Sequence, residues 1–196
     1  MTAGSALALL TLFSNALAIP LQLVARDNYR GSMVEAESGI RNTQNSIAQD
    51  IDSKNFTSLI THFADGAVYT IPAANFSATG PQLITDSIAN SVKGIQTQHV
   101  HNTEVMTIDR EAGTASVVTY LVESIKVPNN LTKQAKGKFD DKYIFKQTGP
   151  RRSAEGKWLL SSRIFTLLVC HFASMRDVDV FRGEPLPPRA SSGESN

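Results

Sequence analysis

"TQHVHNTEVMTI", residues 97–108, is where the apolar pattern of this chain changes from the period of helices to that of strands. Strict alternation through it puts His99, His101 and Thr103 on one face, with Val100, Asn102 and Glu104 on the other. Upstream, Ser32-Met33-Val34-Glu35 has the form of a capping box, and Ile40, Ile47 and Ile51 follow on one helical stripe. Gly39 weakens the first half of that helix. After the turn-forming Asp52-Ser53-Lys54-Asn55, residues Phe56, Leu59, Ile60 and Phe63 repeat as on a second, short amphipathic helix. "GAVYTIPA" reads as a short strand ended by Pro72, with a loop as far as Thr79. Pro81 then opens a third helix bearing Leu83, Ile84, Ile88 and Val92, stopped at Gly94.

Downstream the strand period persists over 97–108, 114–127, 138–147 and 157–168, joined by short turn-like stretches. Three helices followed by an antiparallel meander predict an α+β domain with its helices on one face of a curved sheet. The residues divide into a signal peptide over 1–18, a loose leader over 19–31, one folded domain over 32–168, and a Pro- and Ser-rich extension over 169–196 of disordered composition.

Composition narrows the function classes. Nineteen basic against eighteen acidic residues leave a net charge of +1, so no global field favours nucleic acid or an anionic membrane. Residues 6–13 are apolar and Ala16-Leu17-Ala18 fits the small-residue rule of signal peptidase; the expectation is a secreted, extracellular protein with no membrane span once mature. Sequons at Asn55, Asn75 and Asn130 are the expected N-glycosylation sites. The lone Cys170 excludes an intramolecular disulfide and a cysteine-based zinc site. His99 and His101 lack a third ligand at metal-binding spacing, so no metal is expected. Asp140 and Asp141, between Lys138 and Lys142, read as charge pairing on a solvated face, and His62 as exposed.

"AQDIDSKNFTSLITHFADGAVY", "TQHVHNTEV" and the closing "GKWLLSSRIF" together resemble the SnoaL-like group of the NTF2-like superfamily across residues 33–168. The resemblance implies a cone in which a strongly curved antiparallel sheet wraps the helices and leaves a pocket open at one end. It also implies a small-molecule ligand, apolar or polycyclic, and a homodimer formed through the outer face of the sheet. Among its members, scytalone dehydratase is similar in an Asp before a Ser-Lys turn, here Asp52, and in a Thr-Gln-His, here ending at His99. The chain departs from that enzyme where Ile51 replaces a tyrosine, and in having no histidine between Thr114 and Val127.

On their own chemistry, a carboxylate at a helix end and an imidazole on a strand form a proton-transfer pair that needs no cofactor. Asp52 and His99 are the candidate catalytic residues; Phe63, Tyr69, His101 and Tyr120 are candidates for the pocket wall. Three readings remain open at this stage: a cofactor-free lyase or isomerase, a non-catalytic binding module, and a dimerisation scaffold.

Overall fold

The structure, a computed structural model, describes residue 29 and residues 31–126, 132–150 and 155–170. The expected signal peptide, the Asn130 sequon and most of the C-terminal extension lie outside the described residues.

Helix α1 spans Met33–Ser53 and begins at the capping box: the Glu35 amide donates to Ser32 Oγ at 3.2 Å, and the Ser32 amide to the Glu35 carboxylate at 2.7 Å. It buries Ala36, Ile40, Thr43, Gln44, Ile47, Asp50 and Ile51, and packs against the sheet. Lys54, left-handed at φ 62°, stops it by donating its amide to the Asp50 and Ile51 carbonyls. The helix expected next survives only as one turn, α2 (Phe56–Leu59), and a 3-10 turn at Ile60–His62. Phe63 instead begins strand β1 (Phe63–Ile71), because its backbone pairs with Leu160 of the last strand; sheet pairing overrides the helical period there.

The stretch read as a loop holds a further strand, β2 (Phe76–Thr79), which pairs back on β1 through a turn at Asn75, left-handed at φ 49°. Helix α3 (Pro81–Ser91) follows, buries Ile84 and Thr85, and leaves Leu83 exposed. Four long strands complete the sheet: β3 (Gln96–Asp109), β4 (Thr114–Lys126), β5 (Thr132–Gln147) and β6 (Gly156–Cys170). Strand β5 starts well before the apolar alternation that marked it, since Ala135 and Gly137 carry its inward row between exposed polar neighbours. The order is β2-β1-β6-β5-β4-β3; among the described residues only the β1–β6 pair is parallel.

Helices lie inside the curve of this sheet, and the core of Ile40, Ile47, Leu59, Ile84, Val117, Tyr143 and Leu160 fills the space between. Strand β3 does not alternate throughout. His101 pairs with Leu121 and Glu104 with Thr119, so Asn102 and Thr103 together face Tyr120 across a bulge. Thr103 therefore points outward, and Glu104, expected outside, turns inward to meet Arg41 of α1 at 2.7 Å. Among the described residues, no helix is long and apolar enough to cross a membrane.

Candidate active site

The last turn of α1 brings Asp52 against the first half of β3. Its Oδ2 accepts the His99 backbone N–H at 2.9 Å, and its Oδ1 lies 2.7 Å from His99 Nδ1. Burial alone would raise the Asp52 carboxyl, but the hydrogen bonds from the His99 ring and amide outweigh it and hold the group below the usual carboxylate range. An ionised carboxylate on Nδ1 places the ring proton there and leaves Nε2 as the basic nitrogen. The aromatic face of the dyad is itself largely buried, with 10% of the His99 side chain exposed. Lys54, which ends the helix, donates to Thr97 Oγ1 at 3.1 Å and so ties α1 to β3 beside the dyad.

Both His99 and the neighbouring Ile51 line a cavity of about 290 Å³. Phe63, Tyr69, Ile71, Phe76, Ile88, Phe139 and Phe165 make much of its wall apolar, and Ser87, Asn90 and Ser91 of α3 join His99, Glu123 and Arg163 as its polar groups. Two of its ionisable groups escaped the sequence reading. Glu123 on β4 is the direct partner of His99 in the sheet, and its Oε1 stands 3.6 Å from His99 Nε2. It occupies the strand in which no histidine was found, and burial is the main cause that raises its carboxyl above the ordinary value. Its signal was the inward series Thr119, Leu121, Glu123, Ile125, in which a carboxylate interrupts an otherwise neutral row.

Arg163 on β6 is the second. Its Nε and Nη2 donate to Asp141 Oδ1 and Oδ2 at 2.8 and 2.6 Å, the Tyr143 hydroxyl donates to the same carboxylate at 3.1 Å, and the guanidinium lies 3.9 Å from the centre of the Phe139 ring. Asp141 is thus buried, not solvated as expected; Lys138 and Asp140 make the surface pair, at 2.9 Å. Phase decides this, because Phe139, Tyr143 and Phe145 point inward and Asp141 shares their row. Tyr69, on the cavity wall, has its hydroxyl proton held more tightly than usual, chiefly through burial.

The pocket candidates separate. Phe63 and Tyr69 line the cavity. His101 is half-buried beside it, edge-on to Phe139 with ring centres 6.3 Å apart, and is not among the lining residues. Tyr120 is exposed on the outer face, because inward-facing Thr119 and Leu121 flank it on β4. His62, expected exposed, is buried; its Nε2 lies 2.8 Å from Asp50 Oδ2, fastening the 3-10 turn to α1 behind the cavity. Asn55 caps α2 by accepting the Ser58 amide and is exposed, as is Asn75. Among the described residues, no group of three or more His, Cys, Asp and Glu side chains is placed to hold a metal ion.

Known structures share this architecture. A Kribbella flavida protein, Kfla4162, superposes with a TM-score of 0.62 at 18% identity, over 77% of this chain and 99% of its own. The hexachlorocyclohexane dehydrochlorinase LinA-type3 of Novosphingobium barchaimii gives 0.60 at 13%, over 72% and 93%. A Novosphingobium aromaticivorans protein provisionally assigned as a scytalone dehydratase gives 0.60 at 14%, over 73% and 93%. At such identities the likeness concerns the fold alone. No curated protein matches the chain. Residues 32–164, however, match the family described as SnoaL-like domain, and with more than half its length inside that match the chain belongs to the SnoaL-like family.

Proposed function

We propose that the cavity takes a small apolar or polycyclic ligand and that Asp52 and His99 catalyse proton transfer on it without a cofactor, by isomerisation, cyclisation or loss of water. The observation that carries this reading is the two-point contact between them: both Asp52 oxygens are engaged by His99, so the ring is held in one orientation at the cavity wall. The carboxylate on Nδ1 fixes the tautomer that leaves Nε2 free to accept a proton, and the apolar wall around it disfavours competing reaction with water. The neighbouring dehydrochlorinase, by its name, removes the elements of an acid from its substrate, which is chemistry of the same kind.

The test is a panel of polyketide-like and steroid-like compounds incubated with the protein, with mass analysis of what is bound and what is changed. His99→Ala is expected to lower turnover of any converted compound by about 100-fold or more while leaving ligand uptake and the circular dichroism spectrum unchanged. Ligands that all come back chemically unaltered would favour a passive carrier instead, a reading supported by Ile51, which puts an aliphatic side chain on the cavity wall next to Asp52.

The same proposal places the protein outside the cell, on the strength of the residue 1–18 pattern and of exposed sequons at Asn55 and Asn75. Expression in a secreting eukaryotic host, followed by terminal sequencing and endoglycosidase digestion, checks it: an uncleaved, unglycosylated intracellular product counts against secretion. Pairing of two copies through the outer face of the sheet belongs to the proposal as well, supported by the exposed Val100, Val105 and Tyr120.

A further inference from the structure

We propose that a second hollow, between α1 and the start of β6, binds a neutral sugar or a related polyol. It holds about 350 Å³ and shares no lining residue with the His99 cavity. It stands apart from the proton-transfer reading of Asp52 and His99.

The wall includes Gly39, Asn42 and Ser46 from one side of α1, His62 of the 3-10 turn, and Lys157 and Trp158 of β6. Two polar atoms of these residues are buried without a hydrogen-bond partner among the described residues: His62 Nδ1 and Trp158 Nε1. The residues themselves are 6% and 3% exposed. Folded proteins pair nearly all such atoms, so two orphans on the wall of one hollow mark a place where an outside group completes the bonding. Gly39 lets the indole approach the helix, since a Cβ there would stand 2.8 Å from Trp158 Cδ1 and 3.5 Å from Nε1. Glycine weakens a helix, and at this position its bare backbone is what admits the N–H edge of the ring.

The two orphans have opposite needs. An indole N–H can only donate. His62 Nε2 lies 2.8 Å from Asp50 Oδ2, so the ring carries its proton on that nitrogen and Nδ1 can only accept. Burial lowers the His62 pKa most, and the nearby Lys157 charge adds to this against the pull of Asp50, which keeps the ring neutral. An anion would satisfy the indole and repel the Nδ1 lone pair; a cation would do the reverse. A hydroxyl gives and accepts at once, and a ring of hydroxyls presents both at several points along a groove. Asn42 and Ser46, each able to do both, extend the same pattern along the helix. The charged groups of the wall, Glu35 and Lys157, are opposite in sign. Each is already bonded to a near neighbour, Glu35 to the Ser32 amide at 2.7 Å and Lys157 Nζ to the Thr61 carbonyl at 3.2 Å, so no net charge recruits an ion.

Trp158 is the single tryptophan of the chain, and one indole N–H signal in proton–nitrogen NMR spectra therefore reports this hollow. The His62 Nδ1 signal, from a long-range spectrum of nitrogen-15-labelled protein, reports the other orphan. The probes are glucose, N-acetylglucosamine, cellobiose and myo-inositol, with sodium acetate and glycylglycine beside them. At least one hydroxyl probe is expected to move both signals saturably while the His99 ring signals stay in place. The indole proton should shift downfield as it begins to donate, and Nδ1 upfield as it begins to accept. Trp158→Phe keeps a ring and removes the donor, and should weaken that probe about tenfold as read at His62, the worth of one hydrogen bond.

Hydroxyl probes that leave both signals unmoved overturn the proposal. A response to acetate or glycylglycine alone overturns it as well, because the hollow would then be an ion or peptide site. Movement of His99 in place of His62 does the same, since the sugar would sit in the other cavity. Unchanged affinity in Trp158→Phe overturns the pairing of donor and acceptor on which the ligand class rests; should that variant not fold, the two wild-type signals decide alone. A long-lived water on the indole N–H, seen by its nuclear Overhauser contact and displaced by none of the probes, also counts against a sugar, because water would then complete the bonding.

Discussion

Arg163 and Asp141 put a full ion pair into a sheet interior built mainly of aliphatic and aromatic side chains, at 6% and 2% exposure. Such a pair adds little over an apolar replacement of both members, but removing one strands the other. Arg163→Met is therefore expected to destabilise the fold by about 3–5 kcal/mol, and the Asp141→Asn, Arg163→Met double variant by clearly less, as read by urea unfolding. His101 supplies a pH-dependent counterpart. Burial first, then Arg163 and His99, push its pKa down from 6.5 to about 4, against the opposing pull of Asp141 and Asp52. The unfolded chain thus binds a proton that the folded one refuses, so this contribution is present above pH 6.5 and lost as pH falls toward 4. His62, lowered mainly by burial, acts in the same sense, whereas the raised carboxyl of Glu123 acts in the opposite one. His101→Gln should accordingly flatten or reverse the loss of Tm on acidification across that window, which thermal melts at a series of pH values will show. His99 and Asp52 were legible from sequence because the residues beside them formed recognisable stretches, while Glu123 and Asp141 were not. Both are acidic residues on inward faces, and only the phase set by the neighbouring aliphatic and aromatic residues tells such a carboxylate from a solvated one.

Strand β5 carries Gly137 where it pairs with β6, and a Cβ built there would stand 2.3 Å from Phe165 Cε2. The missing side chain is the space that the Phe165 ring occupies, and Phe165 in turn walls the cavity. Gly137→Ala is expected to cost about 1–3 kcal/mol by overpacking and to shift the ring into the cavity. Calorimetry reads the first effect, and weaker uptake of the bulkier compounds in the panel reads the second. The long strands and α1 were readable because each repeats its period several times. The shorter pieces were not: β2 has four residues, and β1 takes over from the second helix at Phe63 for a reason that lies some hundred residues away, in β6. The bulge in β3 was hidden for a related reason, since the doubled position shows only when β4 is laid beside it.

For the molecule as a whole, an α+β domain with a curved antiparallel sheet was read from the order of helices and strands, and the family match agrees with it. What the order of elements did not reveal is the strand sequence within the sheet, which depends on pairings between distant segments. The outer face leaves Val105 64% exposed and Tyr120 46%, on adjacent strands. A dimer through this face is expected in sedimentation velocity, and Val105→Asp should shift it to monomer without changing the melting temperature by more than a degree or two; a monomeric wild type would count against pairing. The one parallel contact has a further effect in time. Because β6 lies between β1 and β5, the first hairpin has no neighbour on that side until β6 arrives, as Val68 waits for Ser162. Ribosome-bound chains short of β6 would hold two separate patches with raw edges, so closure follows synthesis and is slow, as expected where contacts span most of the chain.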